Sequence, residues 1–223
     1  ASRGLGDVYK RQGYIKRTTL DTYQAQNRGG RGVQGMTQKD EDFTEEMYVG
    51  STHDYMLFLT NQGRVYRLKG YQVPEGSRTA KGSHIVNLLQ LQEGEKVTLM
   101  LQQKADVDED NTYATMITKQ GLIKRTPLSH FRNIRKAGLI AIALNEGDSL
   151  VWSHLTKGDD EIIVATHDGA AIHFTEDDAR AMGRTGHGVR VIKLREGDYV
   201  VGAGVCRPGA TVLTLSLIHI SEP

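Results

Sequence analysis

The 223-residue sequence has a single cysteine, a single tryptophan and four prolines, and it has no long apolar run. The lone Cys206 excludes an internal disulfide and leaves any metal site without a pair of thiolates. The eight histidines are scattered, so we expect no metal site. No stretch approaches the roughly 20 apolar residues that cross a bilayer, and no signal-peptide pattern is present. We therefore expect a soluble intracellular protein.

Catalytic motifs are also missing. The sequence contains no GxxxxGK[ST] phosphate loop, no HExxH and no GxSxG. The net charge is only +1, but acidic residues gather in blocks at 40–42, 106–110, 159–161 and 176–178. Basic residues gather elsewhere, so a balanced total can hide a positive face. The acidic blocks have no accompanying base, and we interpret them as solvated surface.

Three short motifs recur in one register, which predicts an internal repeat. The first reads GYIKR at Gly13, GRVYR at Gly63, GLIKR at Gly121 and GAAIHF at Gly169, the last with one more residue before its aromatic. The second reads RGVQG at Arg31, KGSHIVNLL at Lys81, AGLIAIAL at Ala137 and HGVRVIKL at His187. The third is a turn: EGEKV at Glu93, EGDSL at Glu146 and EGDYV at Glu196. The glycines of the first motif are 50, 58 and 48 residues apart.

Each repeat has the pattern of β-strands. YMLFLTNQGRVYRLK, from Tyr55, predicts two strands around a turn in which Gly63 supplies a positive φ. The apolar run that follows, IVNLLQL or LIAIAL, predicts a central strand, and another strand follows the EG turn. Four strands in roughly 50 residues are typical of a propeller-like blade, with an ordinary β-sandwich as the alternative. Helical periodicity is weak, and its one candidate is 176–182.

Four stretches closely resemble the C-terminal domain of bacterial DNA gyrase A subunits: GYIKR…QNRGGRG, GRVYRLKGYQVPEGSRTAKGSHIVNLL, GLIKRTPLSHFRNIRKAGLIAIALNEGDSL and HDGAAIHFTEDDARAMGRTGHGVRVIKLREGDYVVG. In that family the domain is an all-β β-pinwheel, a propeller-like disc of six four-stranded blades. The resemblance runs over 13–214. It implies an incomplete disc of about four blades, the first without its leading strand. Their approximate bounds are 13–54, 55–105, 106–157 and 158–214.

The two ends of the chain do not fit the repeat. Residues 1–12 and 215–223 resemble translated sequencing-adaptor read-through. We interpret both as non-native tails and exclude them from the predicted fold.

The stretch QNRGGRG resembles the gyrase A box, whose pattern is Gln, basic, Arg, Gly, Gly, basic, Gly. Its residues are Gln26, Asn27, Arg28, Gly29, Gly30, Arg31 and Gly32. Asn27 departs from the pattern because it replaces a basic residue. Glycines here let backbone N–H groups face phosphate between the flanking arginines. A turn with solvent-facing arginines and a disordered RGG-type RNA-binding tract are the alternatives.

A surface that wraps DNA without reading sequence needs cations at regular intervals on exposed turns. Basic residues recur in this way in the hairpins and in the connecting loops, whereas His173 and Phe174 take these positions in the fourth hairpin. We therefore predict a basic rim. Its residues are Lys16, Arg17, Arg64, Arg67, Lys69, Arg78, Lys81, Lys124, Arg125, Arg132, Arg135, Lys136, Arg184 and Arg190.

The resemblance implies a noncatalytic DNA-binding and DNA-wrapping module of gyrase, an ATP-dependent type II topoisomerase that introduces negative supercoils. It implies double-stranded DNA, the rest of the A subunit homodimer and the B subunit, in an A2B2 complex, as partners. No membrane is involved, and the location is the cytoplasm, on the bacterial chromosome. The catalytic tyrosine, ATP and Mg belong to other parts of that enzyme, so we expect no cofactor here. A topoisomerase IV A subunit domain, whose box is not intact, and a protein-binding propeller scaffold are the alternatives.

Overall fold

The structure is a computed structural model that describes residues 4–10, 13–19, 44–77 and 79–211. These residues form β-strands and short 3-10 turns, and none of them forms a helix long and apolar enough to cross a membrane. The strands are β1 (Gly4–Lys10), β2 (Tyr14–Thr19), β3 (Thr44–Ser51), β4 (Tyr55–Thr60), β5 (Arg64–Lys69), β6 (Ser83–His84), β7 (Val97–Gln103), β8 (Tyr113–Thr118), β9 (Leu122–Pro127), β10 (Leu139–Ile140), β11 (Leu150–Thr156), β12 (Glu161–Thr166), β13 (Ala171–Thr175), β14 (Val189–Arg190) and β15 (Val200–Cys206).

The strands form four antiparallel sheets that follow one another along the chain. Their strand orders are β3-β1-β2-β6 in sheet A, β10-β5-β4-β7 in sheet B, β11-β8-β9-β14 in sheet C and β13-β12-β15 in sheet D. The predicted all-β, propeller-like fold is confirmed. Sheet D differs from the expected blade because it contains three strands among the described residues instead of four.

One strand of each of sheets A, B and C comes from the following repeat. The strands β6, β10 and β14, which we call the exchanged strands, pair with β2, β5 and β9, respectively, and form the outer edges of these sheets. The expectation of a central strand in IVNLLQL and LIAIAL is therefore wrong. In the first of these runs the chain forms a 3-10 turn at Ile85–Asn87, and Ile85 and Leu89 fill the core from irregular backbone.

Hydrophobic side chains pack between successive sheets. One cluster joins Ile15 of sheet A to Phe58 and Met100 of sheet B. A second joins sheets B and C, and a third joins sheet C to Ile162 and Val164 of sheet D. At the inner edges, β11 packs beside both β7 and β15. The hairpins and the exchanged strands consequently lie toward the outside.

Two further expectations differ from the structure. Gly4–Lys10 forms β1, which pairs with β2 and β3, so the first sheet has a strand where none was expected. That residues 1–12 and 215–223 are non-native stays a prediction. The helix expected at 176–182 is wrong, because only Glu176–Asp178 forms a 3-10 turn.

Candidate nucleic-acid interface

The third hairpin turn is built by three residues of the repeat. Gly121 has a φ of +77°, and the Thr118 hydroxyl accepts a hydrogen bond from the backbone N–H of Leu122 at 3.2 Å. Asp148, from the third motif, accepts a bond from the N–H of Gln120 at 2.9 Å. The EG motif thus braces the hairpin turn of its own sheet.

The second motif requires a glycine because its backbone lies very close to the preceding sheet. Gly188 has a φ of +99°, and a Cβ there would stand 2.6 Å from the carbonyl oxygen of Ile123. Gly82, with a φ of +86°, approaches the carbonyl oxygen of Ile15 equally closely. No other residue fits this contact without a shift of the backbone. We define residues 73–82, 132–138 and 179–188 as the connecting loops. This contact holds the first and third loops against the hairpins of sheets A and C, whereas Gly138 of the second loop packs on the Tyr66 ring of sheet B.

Two of the predicted rim lysines are fully buried. The Lys124 ammonium donates to the carbonyl oxygen of Ala141 at 2.6 Å and to that of Arg184. Burial lowers the pKa of Lys124 to about 8, and repulsion from Arg184 adds to this effect. Lys16 donates to the carbonyl oxygen of Ser77 at 3.1 Å. An ammonium in this position does not reach a phosphate, so Lys16 and Lys124 hold the connecting loops instead of contacting DNA.

The arginines that follow these lysines also bind the connecting loops. Arg17 donates to the carbonyl oxygen of Val73 at 3.0 Å and pairs with Glu75 at 3.3 Å. Arg125 donates to the carbonyl oxygen of Ala179 at 2.6 Å and pairs with Glu176 at 3.3 Å. Arg125 is buried and Arg17 is largely so.

Sheet B carries three basic residues that are half-buried. Arg64 lies 3.6 Å from a Glu95 oxygen and donates to the carbonyl oxygen of Ala137. Arg67 donates to the carbonyl oxygen of Arg132, and both Arg67 and Lys69 lie over the Tyr55 ring. Their cationic groups are therefore already engaged by the protein.

Exposed cations lie on the connecting loops and the exchanged strands. Arg135 and Lys136 on the second loop and Arg190 on β14 are exposed, and Arg184 is half-buried. Lys81 is exposed and lies over the Tyr14 ring at 4.0 Å. These cations occupy the connecting loops, or the strand that follows, of three successive sheets.

Arg132 is exposed but pairs with acidic neighbours. Its guanidinium lies 2.5 Å from Glu109 and 3.3 Å from Asp110, both in the acidic block 106–110. This pairing raises the pKa of Arg132. The seven residues of the predicted box, 26–32, and Arg78 lie outside the described residues.

The sequence analysis missed the structural role of two acidic residues. Glu176 and Glu95 belong to motifs interpreted as solvated surface or turn, yet both are buried. Glu176 accepts bonds from the Thr156 hydroxyl at 2.5 Å and from the Gly158 N–H at 2.6 Å. Glu95 accepts a bond from the Tyr66 hydroxyl at 2.7 Å. No spacing in the sequence distinguishes Glu176 from the exposed acidic residues beside it.

The alignment of the fourth hairpin is also corrected. Val164 pairs with Ile172 and Ile163 with His173, just as Met116 pairs with Lys124 and Thr115 with Arg125. Ile172 and His173 therefore occupy the two basic positions, in place of the expected His173 and Phe174. GAAIHF has no inserted residue relative to GLIKR.

The described residues contain no group of three or more His, Cys, Asp or Glu side chains that could hold a metal ion. The chemistry that this surface offers is the binding of anions over a long path by exposed cations.

The chain matches the family model of the DNA gyrase C-terminal domain, a β-propeller, over residues 11–49, 54–104, 113–157 and 160–207. It is 52% identical over 178 residues to the DNA gyrase A subunit of Clostridium acetobutylicum, in a match that covers 80% of this chain and 21% of that protein. The chain thus spans about a fifth of the length of the curated relatives it matches, between 21% and 22%.

Two solved structures share the fold. The crystal structure of the C-terminal domain of DNA topoisomerase IV superposes with a TM-score of 0.77 at 30% identity and covers 93% of this chain and 62% of its own. The structure of the DNA gyrase A C-terminal domain superposes with a TM-score of 0.70 at 27% identity and covers 91% and 64%. With the family match over most of the chain, these findings show that the chain belongs to the DNA gyrase C-terminal domain family.

Proposed function

We propose that this chain is the DNA-binding and DNA-wrapping module of a bacterial DNA gyrase A subunit. The observation that carries the proposal is the recurrence of the connecting loops on three successive sheets, each with outward-facing cations nearby. A surface of this kind binds duplex phosphates and does not read bases.

The number of contacts matters because DNA resists bending. Bending a 20–30 bp segment by 40–90° costs roughly 1–6 kcal/mol, which several phosphate contacts along a curved path must offset. Repetition of one loop around the outside of a disc supplies such contacts at regular intervals. The small total charge of +1 is compatible with this function because the acidic side chains are partly buried or lie in separate loops.

The membership in this family supports a wider proposal. The module is noncatalytic, and it acts with the rest of the A subunit, together with the B subunit, as A2B2, on the chromosome in the bacterial cytoplasm. ATP hydrolysis and the Mg-dependent steps belong to other parts of that enzyme. We also propose that residues 13–214 form the native domain.

The basic surface is tested by titrating a 40 bp duplex against the full chain at several salt concentrations. We expect log affinity to fall with log salt at roughly −0.9 per phosphate contacted, whatever the DNA sequence. The double variant R135A/K136A should reduce the slope by about 1 to 2. The control K104A, an exposed lysine that follows the inner strand β7, should leave it unchanged. Binding that is insensitive to salt, or no binding, contradicts the proposal.

We further propose that the box, residues 26–32, contacts DNA within the wrap. Nicked plasmid is relaxed with bound protein and resealed, and the linking number is compared with that of free plasmid. Arg28→Ala with Arg31→Ala should reduce the change. An unaltered topoisomer distribution would reject this role for the box.

A topoisomerase IV A subunit domain is the second candidate, favoured by the 0.77 TM-score to that domain. The gyrase assignment rests on the box and on the 52% identity to a gyrase A subunit. The linking-number experiment separates the two candidates. A change with the sign of negative supercoiling that is lost when the box is changed supports the gyrase domain.

A further inference from the structure

The third residue after the turn glycine has a buried hydrogen-bond donor at the end of its side chain in three successive sheets. Lys16, Tyr66 and Lys124 occupy this position, and all three are almost completely buried. Each donates a hydrogen bond to a backbone carbonyl in a loop that follows the next hairpin or the next exchanged strand. The acceptors are Ser77, Gln90 and, for Lys124, both Ala141 and Arg184.

Lys124 joins more of the structure than the other two. Its acceptor Ala141 follows the exchanged strand β10, and the Ala141 N–H binds the carbonyl oxygen of Gly63 in sheet B. Its other acceptor, Arg184, lies on the connecting loop that arrives from the fourth repeat. The ammonium therefore connects the segment passing to sheet B with the loop that covers sheet C.

The charge on Lys124 also acts on the side chain of Arg184. The ammonium attracts the carbonyl oxygen of Arg184 and repels its guanidinium, and the same repulsion contributes to the lowered pKa of Lys124. The carbonyl oxygen of residue 184 is thus bound by the buried ammonium, while its half-buried side chain is repelled by the same charge.

Stability does not explain a lysine at this position. Removing an ammonium from water is costly, and an apolar side chain of similar volume often serves a buried site as well or better. The equivalent residue of the fourth hairpin, which no exchanged strand covers among the described residues, is the apolar Ile172.

We propose that Lys124 is a positioning residue of the DNA interface, which fixes the 179–188 loop so that Arg184 faces the DNA. The inference rests on the proposed DNA-binding function. Lys124 itself touches no DNA, and its effect on binding passes through Arg184.

The test is a double-mutant cycle on the full chain with K124M, R184A and K124M/R184A. The readouts are the affinity for a 40 bp duplex, its salt slope and the melting temperature. We expect K124M and R184A each to weaken binding roughly threefold to tenfold and to reduce the salt slope by about 1. The double variant should bind no more weakly than R184A, because both changes remove the same contact.

Equal affinity of K124M and the wild type overturns the inference, and so do fully additive losses. Absence of salt-dependent binding by the wild type is a different result, since it rejects the underlying function. If K124M does not give a cooperative melting transition, the cycle is repeated at the equivalent position of sheet A, with K16M in β2 and K81A in the first connecting loop. Additive losses in that cycle also overturn the inference.

Discussion

The third and fourth hairpins differ in what covers them. In sheet C, β14 pairs with β9, and the 179–188 loop packs on the hairpin. In sheet D, β13 has no exchanged strand beside it among the described residues. The side chain of Arg125 is 7% exposed, whereas that of His173, at the same register position, is 53% exposed. The following repeat, and not the hairpin itself, therefore decides whether this position is core or surface.

The two hairpins also make different contacts with a carboxylate at this position. Arg125 meets Glu176, which is completely buried and accepts several further hydrogen bonds. His173 meets Glu161 at 3.4 Å, where both side chains are more than half exposed. A buried ion pair is costly to break because one charge is left without a partner, whereas an exposed pair contributes little.

The strongest test of this comparison removes the carboxylate from each pair. We expect Glu176→Ala to lower the free energy of unfolding by about 3–5 kcal/mol, since it leaves the buried Arg125 guanidinium without its anionic partner and two backbone N–H groups without their acceptor. Glu161→Ala, the matched control, should change it by less than about 0.5 kcal/mol. Urea denaturation measures both. Similar losses of unfolding free energy in the two variants would show that burial does not determine how much each contact stabilises the fold.

A second test sharpens the role of the exchanged strand. Gly188→Ala places a Cβ against the Ile123 carbonyl at a positive φ, and we expect a loss of about 2–4 kcal/mol. Gly197 also has a positive φ, but a Cβ there meets open space. Gly197→Ala should therefore cost only about 1 kcal/mol, from backbone conformation alone. Thermal unfolding of both variants measures the difference, and equal losses would contradict a close approach at Gly188.

The smallest expected effect depends on pH. Because the folded state lowers the pKa of Lys124 to about 8, the unfolded chain binds more protons above that pH, up to the ordinary pKa of lysine. The contribution of Lys124 to the free energy of unfolding should rise with pH in this window. Relative to K124M, the wild type should gain about 1–2 kcal/mol between pH 7 and pH 10, after allowance for solvent screening.

The fourth hairpin, which has no exchanged strand beside it among the described residues, supplies the control for the pH effect. Ile172→Lys places a lysine at the equivalent register position, where no connecting loop covers it among the described residues. This variant, compared with the wild type, should show no such gain between pH 7 and pH 10. An equal gain in both comparisons would mean that the covering loop does not cause the lowered pKa of Lys124.

Much of the fold could be predicted from local pattern. The turn glycines Gly63, Gly121 and Gly169 all have the positive φ that the hairpin spacing predicts. The apolar runs after Lys81 and Ala137 led to the wrong prediction of central strands. An apolar run can fill a core equally well from a strand or from a loop. The exposure of the basic residues could be predicted only in part, since Lys124 and Lys136 are the same residue type with opposite exposure.

The sequence by itself determined the repeat, the hairpins and the family, because spacing, turn glycines and motif letters are local properties of the chain. Only the tertiary structure decided which cations face outward. The exchanged strand and its loop come from the next repeat, and their backbone carbonyls bind Lys16 and Lys124 while removing them from water. The sequence shows that a lysine is present, but its access to phosphate depends on whether the loop and strand of the next repeat cover it.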